Sequence, residues 1–483
     1  MLASMGNSRE AADVYRAASI GAPPQEALEH KRAAAHLLST SGFTDEARVL
    51  LGEVLAAIGS SMPRSPRAAI VAALASRFLL MCRGLKIDPT AAPGPGDQAR
   101  LGAMWTVVQG SVGNNAFVMV DMAARYARLA LNTGSRAHAA RALTMEAYMI
   151  SLDGLGTRAK TDPIMLQAEL LASEVSQNEL TGWVRQIRGC VLAHEGRFAE
   201  AQPVLQDALE WLGSQCSEVP FELAGTHLYC VNAANHLGDY AQTSTTAPGI
   251  VENALRRGDQ YLACGVVGFA APALLAHRGL ADAGTRIGQA KASYQVQSIY
   301  QWADYLILLA DLNLALYEGQ PARGVLLAAQ QWRALEKAQL LRMKTAFGLM
   351  SYYRAGCALA AARQRSTDVT EGLAIARTTA RLLNKSPLAH LPGWAAVLEA
   401  GLACENRQPD RAAELLQAAT VTFDATGLKL YGAAARRRQG QLMGGERGRA
   451  LAIAGEAVMH GQGVIDLEAT TEMLAPGCRA GAR

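Results

Sequence analysis

The residues able to do chemistry are scattered along the chain and do not match the spacings of known catalytic motifs. His194 and Glu195 are adjacent, but no second histidine follows four residues after His194, as a zinc-binding HExxH helix requires. The stretch 153–156, DGLG, is rich in glycine, yet it follows a predicted helix and not the strand that a dinucleotide-binding loop needs. We therefore expect His194 and Glu195 to lie in a solvated turn between two helices.

Motifs for phosphoryl transfer and for metal binding are also missing from the sequence. It contains no Gly-Lys dipeptide, and therefore no phosphate-binding loop of the GxxxxGK[ST] type. The HRD and DFG motifs of protein kinases and the GxSxG elbow of serine hydrolases do not occur. None of the nine histidines pairs with cysteine at metal-ligand spacing. The sequence thus predicts a protein that is not an enzyme, with no catalytic residues, no cofactor and no metal.

Cysteine usage and the apolar segments indicate the compartment. The eight cysteines include no CxxC pair, and a chain of this length does not need disulfides, so we expect free thiols in a reducing compartment. The first residues lack the basic and apolar regions of a signal peptide. The longest apolar stretch, 68–82, is interrupted by Arg77 and is too short to cross a bilayer. These features predict a soluble, cytoplasmic protein.

Composition favours a folded, helical protein. Of the 483 residues, 50% are hydrophobic and 18% are charged, which excludes a disordered chain. Alanine and leucine supply most of the apolar residues, and both favour helices over strands. The formal net charge of +4 is close to balance for this size. We therefore expect neither nucleic acid nor a membrane as a partner.

Two local features could bind a partner, but each has a structural explanation that we favour. The run Arg436-Arg437-Arg438 could form an anion or nucleic-acid patch, or it could be the polar, C-terminal part of a helix. A cluster of aromatic residues could line a groove or could pack between adjacent repeats. The cluster comprises Tyr294, Tyr300, Trp302, Tyr305 and Tyr317.

Helical periodicity with short breaks recurs along nearly the whole sequence and predicts sixteen or seventeen helices of 12–22 residues. The breaks at Gly196, Gly238, Gly279 and Gly319 are 40 to 42 residues apart. Further breaks are expected at Gly6, at Gly42, within 364–367, at 407–409 and at 444–445. A period of about 40 residues with two helices per unit is typical of helical-hairpin repeat proteins.

Small residues recur at matched places around these turns. Five residues after the turn stand Ala11, Ala47, Ala201, Gly284, Gly324 and, counted from the break at 408, Ala413, whereas Thr243 departs from the pattern. Gly189 and Gly401 occupy the matching position on the first helix. Small side chains let two helices approach closely, as in tetratricopeptide (TPR) repeats. We therefore predict an all-α, TPR-like helical-hairpin solenoid wound as a right-handed superhelix, with an irregular α-bundle as the alternative.

Breaks in composition divide the chain into three predicted parts. Residues 1–85 form N-terminal helical repeats, of which the first is expected to be truncated. Residues 86–97, KIDPTAAPGPGD, form a linker, because their prolines and glycines cannot continue a helix. Residues 98–483 form the main solenoid with its closing helices. We expect the chain to derive from a longer repeat array.

The C-terminal third resembles the tail of large multidomain bacterial serine/threonine protein kinases. The resemblance rests on 409–464, which begins PDRAAELLQAATVTFDATGLKLYGAAARRRQG, and on MLAPG at 473–477. In that family a kinase domain and an AAA-type ATPase precede a TPR-like region. The N-terminal repeats have a residue pattern similar to that of the same TPR-like region. The family's catalytic motifs match no position in this sequence. The resemblance implies a non-catalytic regulatory and protein-interaction module.

Alternatively, the chain could be the ligand-sensing region of a LuxR-type ATPase transcriptional regulator. A sequence pattern like LYGAAAR at 430–436 also occurs in such regulators. Only about 43 residues follow Gly440, which is too few for the DNA-binding domain of such a regulator. For either reading the expected partner is a protein or peptide segment, such as kinase or ATPase domains encoded upstream. It should bind a concave surface formed by helices near 222–237, 261–278, 300–318 and 341–363. The predicted exposed contacts are Tyr300, Asp304, Arg342 and Tyr353.

Overall fold

The protein is all-helical throughout the residues that its structure, a computed structural model, describes: 8–88, 90–112, 116–217 and 219–478. This confirms the predicted all-α class. Within these ranges the chain forms 22 α-helices of 8 to 34 residues, more numerous and more variable in length than the sequence predicts. The predicted turn at Gly6 lies outside the described residues.

The helices follow one another with short connections. The first eleven are α1 Ser8–Ala18, α2 Pro24–Thr40, α3 Thr44–Ala57, α4 Pro66–Arg83, α5 Pro95–Ser111, α6 Ala116–Asn132, α7 Arg136–Ser151, α8 Arg158–Ser173, α9 Asn178–His194, α10 Phe198–Gln215 and α11 Pro220–Leu237. The other eleven are α12 Tyr240–Arg256, α13 Gln260–Ser293, α14 Trp302–Tyr317, α15 Pro321–Lys337, α16 Lys344–Arg363, α17 Val369–Asn384, α18 Leu391–Glu405, α19 Pro409–Thr426, α20 Lys429–Met443, α21 Gly445–Gly461 and α22 Leu467–Leu474. Two 3₁₀ turns, Leu155–Thr157 and Leu340–Arg342, precede α8 and α16.

The predicted turns fall between helices, because each needs a backbone conformation that a helix cannot supply. Gly196, Gly238 and Gly319 have φ of 75°, 79° and 71°, in the left-handed region that glycine tolerates best. Gly279, with φ 83°, divides α13 by a kink. The breaks predicted within 364–367, at 407–409 and at 444–445 are confirmed as well.

Consecutive helices joined by these turns pack side by side, and so run antiparallel. Small residues permit the close approach at several of the predicted positions: Ala47 and Ala201 are buried, and a Cβ on Gly189 would lie 2.5 Å from Leu205 of the following helix. A Cβ on Gly324 would lie 2.6 Å from the sulfur of Cys357. Close packing between neighbouring helices is therefore encoded by the small residues around the turns.

The small-residue prediction is wrong at three places. A Cβ on Gly284 would meet nothing within 4 Å. Ala413 is only half-buried, and its neighbour Ala412 makes the buried contact. Gly401 is indeed crowded, but by Leu359 of α16 and not by its hairpin partner α19. A fixed offset from the turn therefore does not always select the residue that faces the partner helix.

The array of helices curls back on itself, so that turns far apart in sequence touch. Lys344 N donates to Leu152 O (2.9 Å), and Ile465 N donates to Ala276 O (2.9 Å). In four such pairs the contacting segments are about 190 residues apart: Leu152 with Lys344, Gly196 with His390, Gly238 with Leu430, and Ala276 with Ile465. Another pair is more widely separated, since Ser298 N donates to Asp45 Oδ2 (2.8 Å) across 253 residues. The buried apolar side chains form one continuous core that extends from Ala12 to Cys478.

The predicted linker 86–97 lies largely between helices, since α4 ends at Arg83 and α5 begins at Pro95. Within it, Pro89 is outside the described residues. Helix α4 packs along α6, and Ser76 donates to the buried carboxylate of Asp121 (2.5 Å). The N-terminal helices thus pack on the rest of the chain.

One helix, α13, is long and apolar enough to cross a membrane by length and composition. Most of its apolar window, 89%, is buried inside the protein, as expected of a core helix. This arrangement is consistent with a soluble protein.

The C-terminal block is held by ion pairs of the run Arg436-Arg437-Arg438, which lies in the C-terminal half of α20 as expected but is largely buried. Arg438 is fully buried and pairs with Glu468 (2.7 Å) and Glu472 (2.6 Å) of α22. Arg437 pairs with Glu468 as well (2.7 Å). The MLAPG segment that follows packs on α16, where Tyr352 Oη donates to Leu474 O (2.6 Å). The arginines therefore hold the closing helix in place.

Candidate functional site

A cavity of about 600 Å³, partly open to solvent, lies between these helices and is the candidate site. Residues of α4, α6, α7, α9 and α11 form most of its wall, and α8, α13 and α14 contribute one residue each. The segment around the 3₁₀ turn Leu340–Arg342 completes the rim. Pockets that hold single small molecules typically have about 300–1,000 Å³. We call this space the central cavity.

Most of the lining is apolar. Met145 and Met149 of α7, Ile187 of α9, Leu228 of α11 and Trp302 of α14 are among the side chains that line it. These helices fold because their apolar residues recur at helical spacing. Since α7, α9 and α11 are buried on several sides, they also turn apolar side chains toward the cavity. The cavity can therefore exclude water from the apolar part of a ligand.

Four polar side chains beside the wall form a closed hydrogen-bond relay. Tyr148 Oη lies 3.1 Å from Tyr229 Oη, which lies 2.7 Å from His194 Nε2. His194 Nδ1 lies 2.9 Å from Ser151 Oγ, and this hydroxyl donates to the Tyr148 carbonyl oxygen (2.7 Å). Burial lowers the pKa of His194 to about 3, so the imidazole is neutral near pH 7.

The direction of this relay follows from its proton count. Because the Ser151 hydroxyl donates to the Tyr148 carbonyl, His194 Nδ1–H must donate to Ser151 Oγ. His194 Nε2 then accepts from the Tyr229 hydroxyl, and the Tyr148 hydroxyl donates to Tyr229. All four protons are used inside the relay. The hydroxyl oxygen of Tyr148 is thus left as an acceptor only.

A second acceptor lies in the same wall. The Gln186 side chain is 4% exposed and lines the cavity, and its Oε1 accepts no hydrogen bond from any described residue. A Cβ on Gly225 would lie 2.4 Å from Gln186 Nε2, so the absence of a side chain at Gly225 makes room for this amide. Buried amide oxygens are nearly always paired in proteins. Gln186 Oε1 is itself shielded from solvent, so it is an unpaired buried oxygen within the wall.

Charged residues lie at the rim. Lys160 and Arg342 line the cavity, are exposed and form no ion pair with a described residue, while Asp153 is the acidic side chain among them. The hydrogen bond from Lys344 N to Leu152 O ties the two rim segments together. Arg77 of α4, which also lines the cavity, is already paired with the buried Glu146 of α7 (2.7 Å). The rim is thus net positive.

Burial holds the cysteine, the two tyrosines and the histidine in and beside the wall in their neutral forms. Burial raises the pKa of the Cys190 thiol well above its usual range, and burial also raises the pKa values of Tyr148 and Tyr229. His194 lies one helical turn after Cys190, but both of its nitrogens are engaged by Ser151 and Tyr229. Cys190 and His194 therefore do not form a nucleophile–base pair. The described residues include no group of three acidic, histidine or cysteine side chains able to hold a metal.

Of the four contacts predicted from the sequence, the structure brings only Arg342 to the cavity. Arg342 also lines a second, shallower depression between α15, α16 and α17. Tyr300 and Asp304 are partly buried and have structural partners: Tyr300 Oη donates to Gln331 Oε1 (3.0 Å), and Asp304 Oδ2 accepts from Gln301 N (2.7 Å). Tyr353 is 1% exposed, and its hydroxyl lies 2.8 Å from that of Tyr431. The prediction that Tyr353 is an exposed contact is wrong.

The sequence reasoning also misplaced the residues of the relay. His194 and Glu195, predicted to be solvated, are 2% and 1% exposed. Glu195 accepts from Thr161 (2.7 Å) and pairs with Arg197 (3.1 Å). A buried polar pair directly before a turn glycine signals that another part of the chain covers the turn, but local periodicity does not reveal which part. The predicted concave helices do contribute Leu228, Tyr261 and Trp302 to the lining.

Comparison with known proteins adds no assignment. No protein-family model matches the chain, and no curated protein is similar to it.

Proposed function

We propose that the chain is a non-catalytic regulatory and protein-interaction module built as a TPR-like, right-handed α-solenoid. Four contacts between turns about 190 residues apart support this architecture, because successive hairpins that rotate in one sense bring distant turns together. The helical hairpins with close-packed turns support it as well.

The observation that carries the proposal is the central cavity with its neutral polar groups. Burial shifts the pKa values of His194, Cys190 and Tyr229 away from neutral pH, so these three groups are poorly suited to acid–base or nucleophilic roles. Such a cavity is suited to binding, and a curled array of hairpins can couple binding to its outer surface. The resemblance of the tail to kinase–ATPase signalling proteins points to a cytoplasmic partner of that class.

The partner can be tested by site-specific photo-crosslinking from Arg342. A benzoylphenylalanine at this position should crosslink to a serine/threonine kinase or an AAA-type ATPase chain. The matched control is the same substitution at Arg449, an exposed arginine on α21 without a partner among the described residues. Crosslinks to a DNA-binding regulator would favour the LuxR-type alternative, and equal crosslinking from both positions would contradict the proposed surface.

A further inference from the structure

Helix α4 exposes more large apolar side chains than any other helix of the described chain. Six of the twenty large apolar side chains that are exposed among the described residues lie on it, and no other helix carries more than two. They are Ile70, Val71, Leu74, Phe78, Leu79 and Met81. Single exposed apolar side chains are ordinary in soluble proteins, whereas a contiguous group marks an interaction surface.

The packing of the neighbouring helices explains why this side of α4 is uncovered. The buried residues of α4 recur at positions 69, 73, 76 and 80, and the helix packs along α6. Helix α3 packs against α5, the helix that follows α4, so the row of neighbouring helices runs past α4. The outward side of α4 therefore lacks the neighbour that a helix in a hairpin array normally has.

Four of the exposed residues have the spacing of a seam between two helices. Val71, Leu74, Phe78 and Met81 follow one another at intervals of three, four and three residues, and we call them the α4 stripe. This heptad spacing keeps apolar side chains directed toward one partner helix. Leu74 also lines the central cavity, so the stripe borders a depression beside α4.

The charges at the ends of the α4 stripe are positive. No aspartate or glutamate occurs within 54–87. Arg64 and Arg67 precede the stripe and Lys86 follows it, and all three are exposed and form no ion pair with a described residue. The acidic side chains that contact α4 are buried and already engaged by Ser76 and Arg77. The flanks of the stripe therefore favour acidic side chains on whatever covers it.

Two other occupants fit these observations less well. Antiparallel pairing of α4 with a second copy would bring Arg64 and Arg67 beside Lys86 of the other chain, and parallel pairing would bring Arg67 beside Arg67, which is repulsive in both cases. A flat bilayer cannot follow the stripe into the depression that Leu74 lines. An amphipathic helix fits both the shape and the charge.

We propose that the α4 stripe docks an amphipathic helix of a protein partner, whose apolar residues cover the stripe and whose ends carry acidic side chains. This inference rests on the protein-interaction function proposed above and names the kind of segment that is recognised. Its test does not involve Arg342. Crosslinking from Arg342 can therefore fail while helix docking succeeds, or the reverse, and the two failures are distinguishable.

Fluorescence anisotropy of two labelled peptides, titrated with the full chain, measures the docking. Each peptide is about three heptads long, with leucine at the a and d positions and alanine or glutamine elsewhere. The acidic peptide carries glutamates in both terminal turns, and the basic peptide carries lysines there. We expect the acidic peptide to bind about tenfold or more tightly. Equal affinities, or no saturable binding of the acidic peptide, would overturn the proposal.

Substitutions in the stripe and at its end locate the binding. Phe78→Ser, at a side chain that is 59% exposed, should weaken the acidic peptide about tenfold. The matched control is Val421→Ser, since Val421 is 63% exposed and is the one large apolar side chain exposed on α19. It should leave the affinity unchanged. Replacing Arg64 and Arg67 together by glutamate should remove the preference for the acidic peptide.

Circular dichroism and the melting temperature confirm that each variant folds. An equal loss of affinity in Phe78→Ser and Val421→Ser would show non-specific apolar attraction and would refute the site. Light scattering and co-sedimentation with vesicles of phosphatidylcholine and phosphatidylserine test the other two occupants. Dimerisation or vesicle binding that Phe78→Ser abolishes, in a chain that does not bind the acidic peptide, would replace the partner helix by a second copy or by a membrane.

Discussion

At the residue scale, the relay of Tyr148, Ser151, His194 and Tyr229 joins three helices around one neutral imidazole. Replacing Tyr229 by phenylalanine removes the donor to His194 Nε2 and the acceptor of the Tyr148 hydroxyl. Two buried polar groups would then lack partners, because the imidazole stays neutral at a pKa of about 3. We expect Tyr229→Phe to lower the free energy of unfolding by about 1–3 kcal/mol, measured by urea denaturation at neutral pH.

The control for this prediction is Tyr15→Phe in α1. Tyr15 is 37% exposed, and no described residue accepts or donates a hydrogen bond at its hydroxyl. Removing that hydroxyl should change stability by less than about 0.5 kcal/mol. If both variants unfold at the same urea concentration as the wild type, the relay contributes nothing to stability.

His194 and Tyr353 show what single positions in the sequence could and could not reveal. Helical spacing correctly places Tyr353 on a helix, whereas His194, expected in a turn, is the last residue of α9. Their burial depends on contacts with helices far away in sequence, such as that of Tyr353 with Tyr431. A local pattern indicates that a face is apolar, but it does not identify the segment that covers it. The solvent exposure of individual side chains was therefore predicted least well. The candidate site was predicted poorly for the same reason.

The thiols of Cys404 and Cys478 form a second feature at this scale. Their sulfur atoms lie 3.0 Å apart, Cys404 is half-buried and Cys478 is 1% exposed. The neighbouring Cys478 thiol, aided by Arg363 and Arg438, lowers the pKa of Cys404 against the effect of burial. A thiolate is the reactive form of cysteine. Cys404 should therefore react before the buried thiols do.

We expect hydrogen peroxide to oxidise Cys404 to a sulfenic acid with release of water, and Cys478 to condense with it to a disulfide with release of a second water. Intact mass spectrometry should show the loss of two hydrogens, and peptide mapping should find the Cys404–Cys478 bond. In Cys478→Ser the Cys404 sulfenic acid should persist and react with dimedone. Preferential oxidation of another cysteine would contradict this order.

At the scale of elements, a glycine within a helix either makes room for a neighbouring helix or faces open space, and composition does not distinguish the two cases. Gly268 on α13 is buried, and a Cβ there would lie 2.6 Å from Leu306 Cβ and 2.7 Å from the Leu306 carbonyl oxygen of α14. Gly213 on α10 has nothing within 4 Å of the same position. Local propensity alone favours alanine at both sites by about 1 kcal/mol.

We therefore expect opposite effects from the same substitution. Gly268→Ala should destabilise the protein by about 1–3 kcal/mol, because the backbone of α14 must move. Gly213→Ala should stabilise it by about 0.5–1 kcal/mol. Urea denaturation of the two variants measures both changes, and a stabilised Gly268→Ala would show that α13 and α14 do not pack this closely.

At the scale of the whole molecule, the sequence predicts the local unit better than the way in which the units close. The turns follow from Gly196, Gly238 and Gly319, whose positions fix a period of about 40 residues. The contact between Gly238 and Leu430 joins residues 192 positions apart in the sequence. The spacing of the turns does not specify which distant turns meet, so the path of the helices and the cavity between them could not be predicted from the period.

The closing helix α22 provides the last prediction, because its ion pairs hold the end of the array. Burial by itself would raise the pKa of Glu468, but Arg438 and Arg437 outweigh it and lower the pKa from the ordinary 4.5 to about 2. A carboxyl whose pKa is lowered in the folded state contributes stability above its ordinary value and loses it as the pH falls toward the folded value. Glu468→Gln should therefore lower the urea midpoint at about pH 6, and its difference from the wild type should shrink at about pH 3. Glu210→Gln, at an exposed glutamate in the middle of α10, should show no such difference at either pH, and a Glu468→Gln effect that is the same at both pH values would contradict the role of these ion pairs.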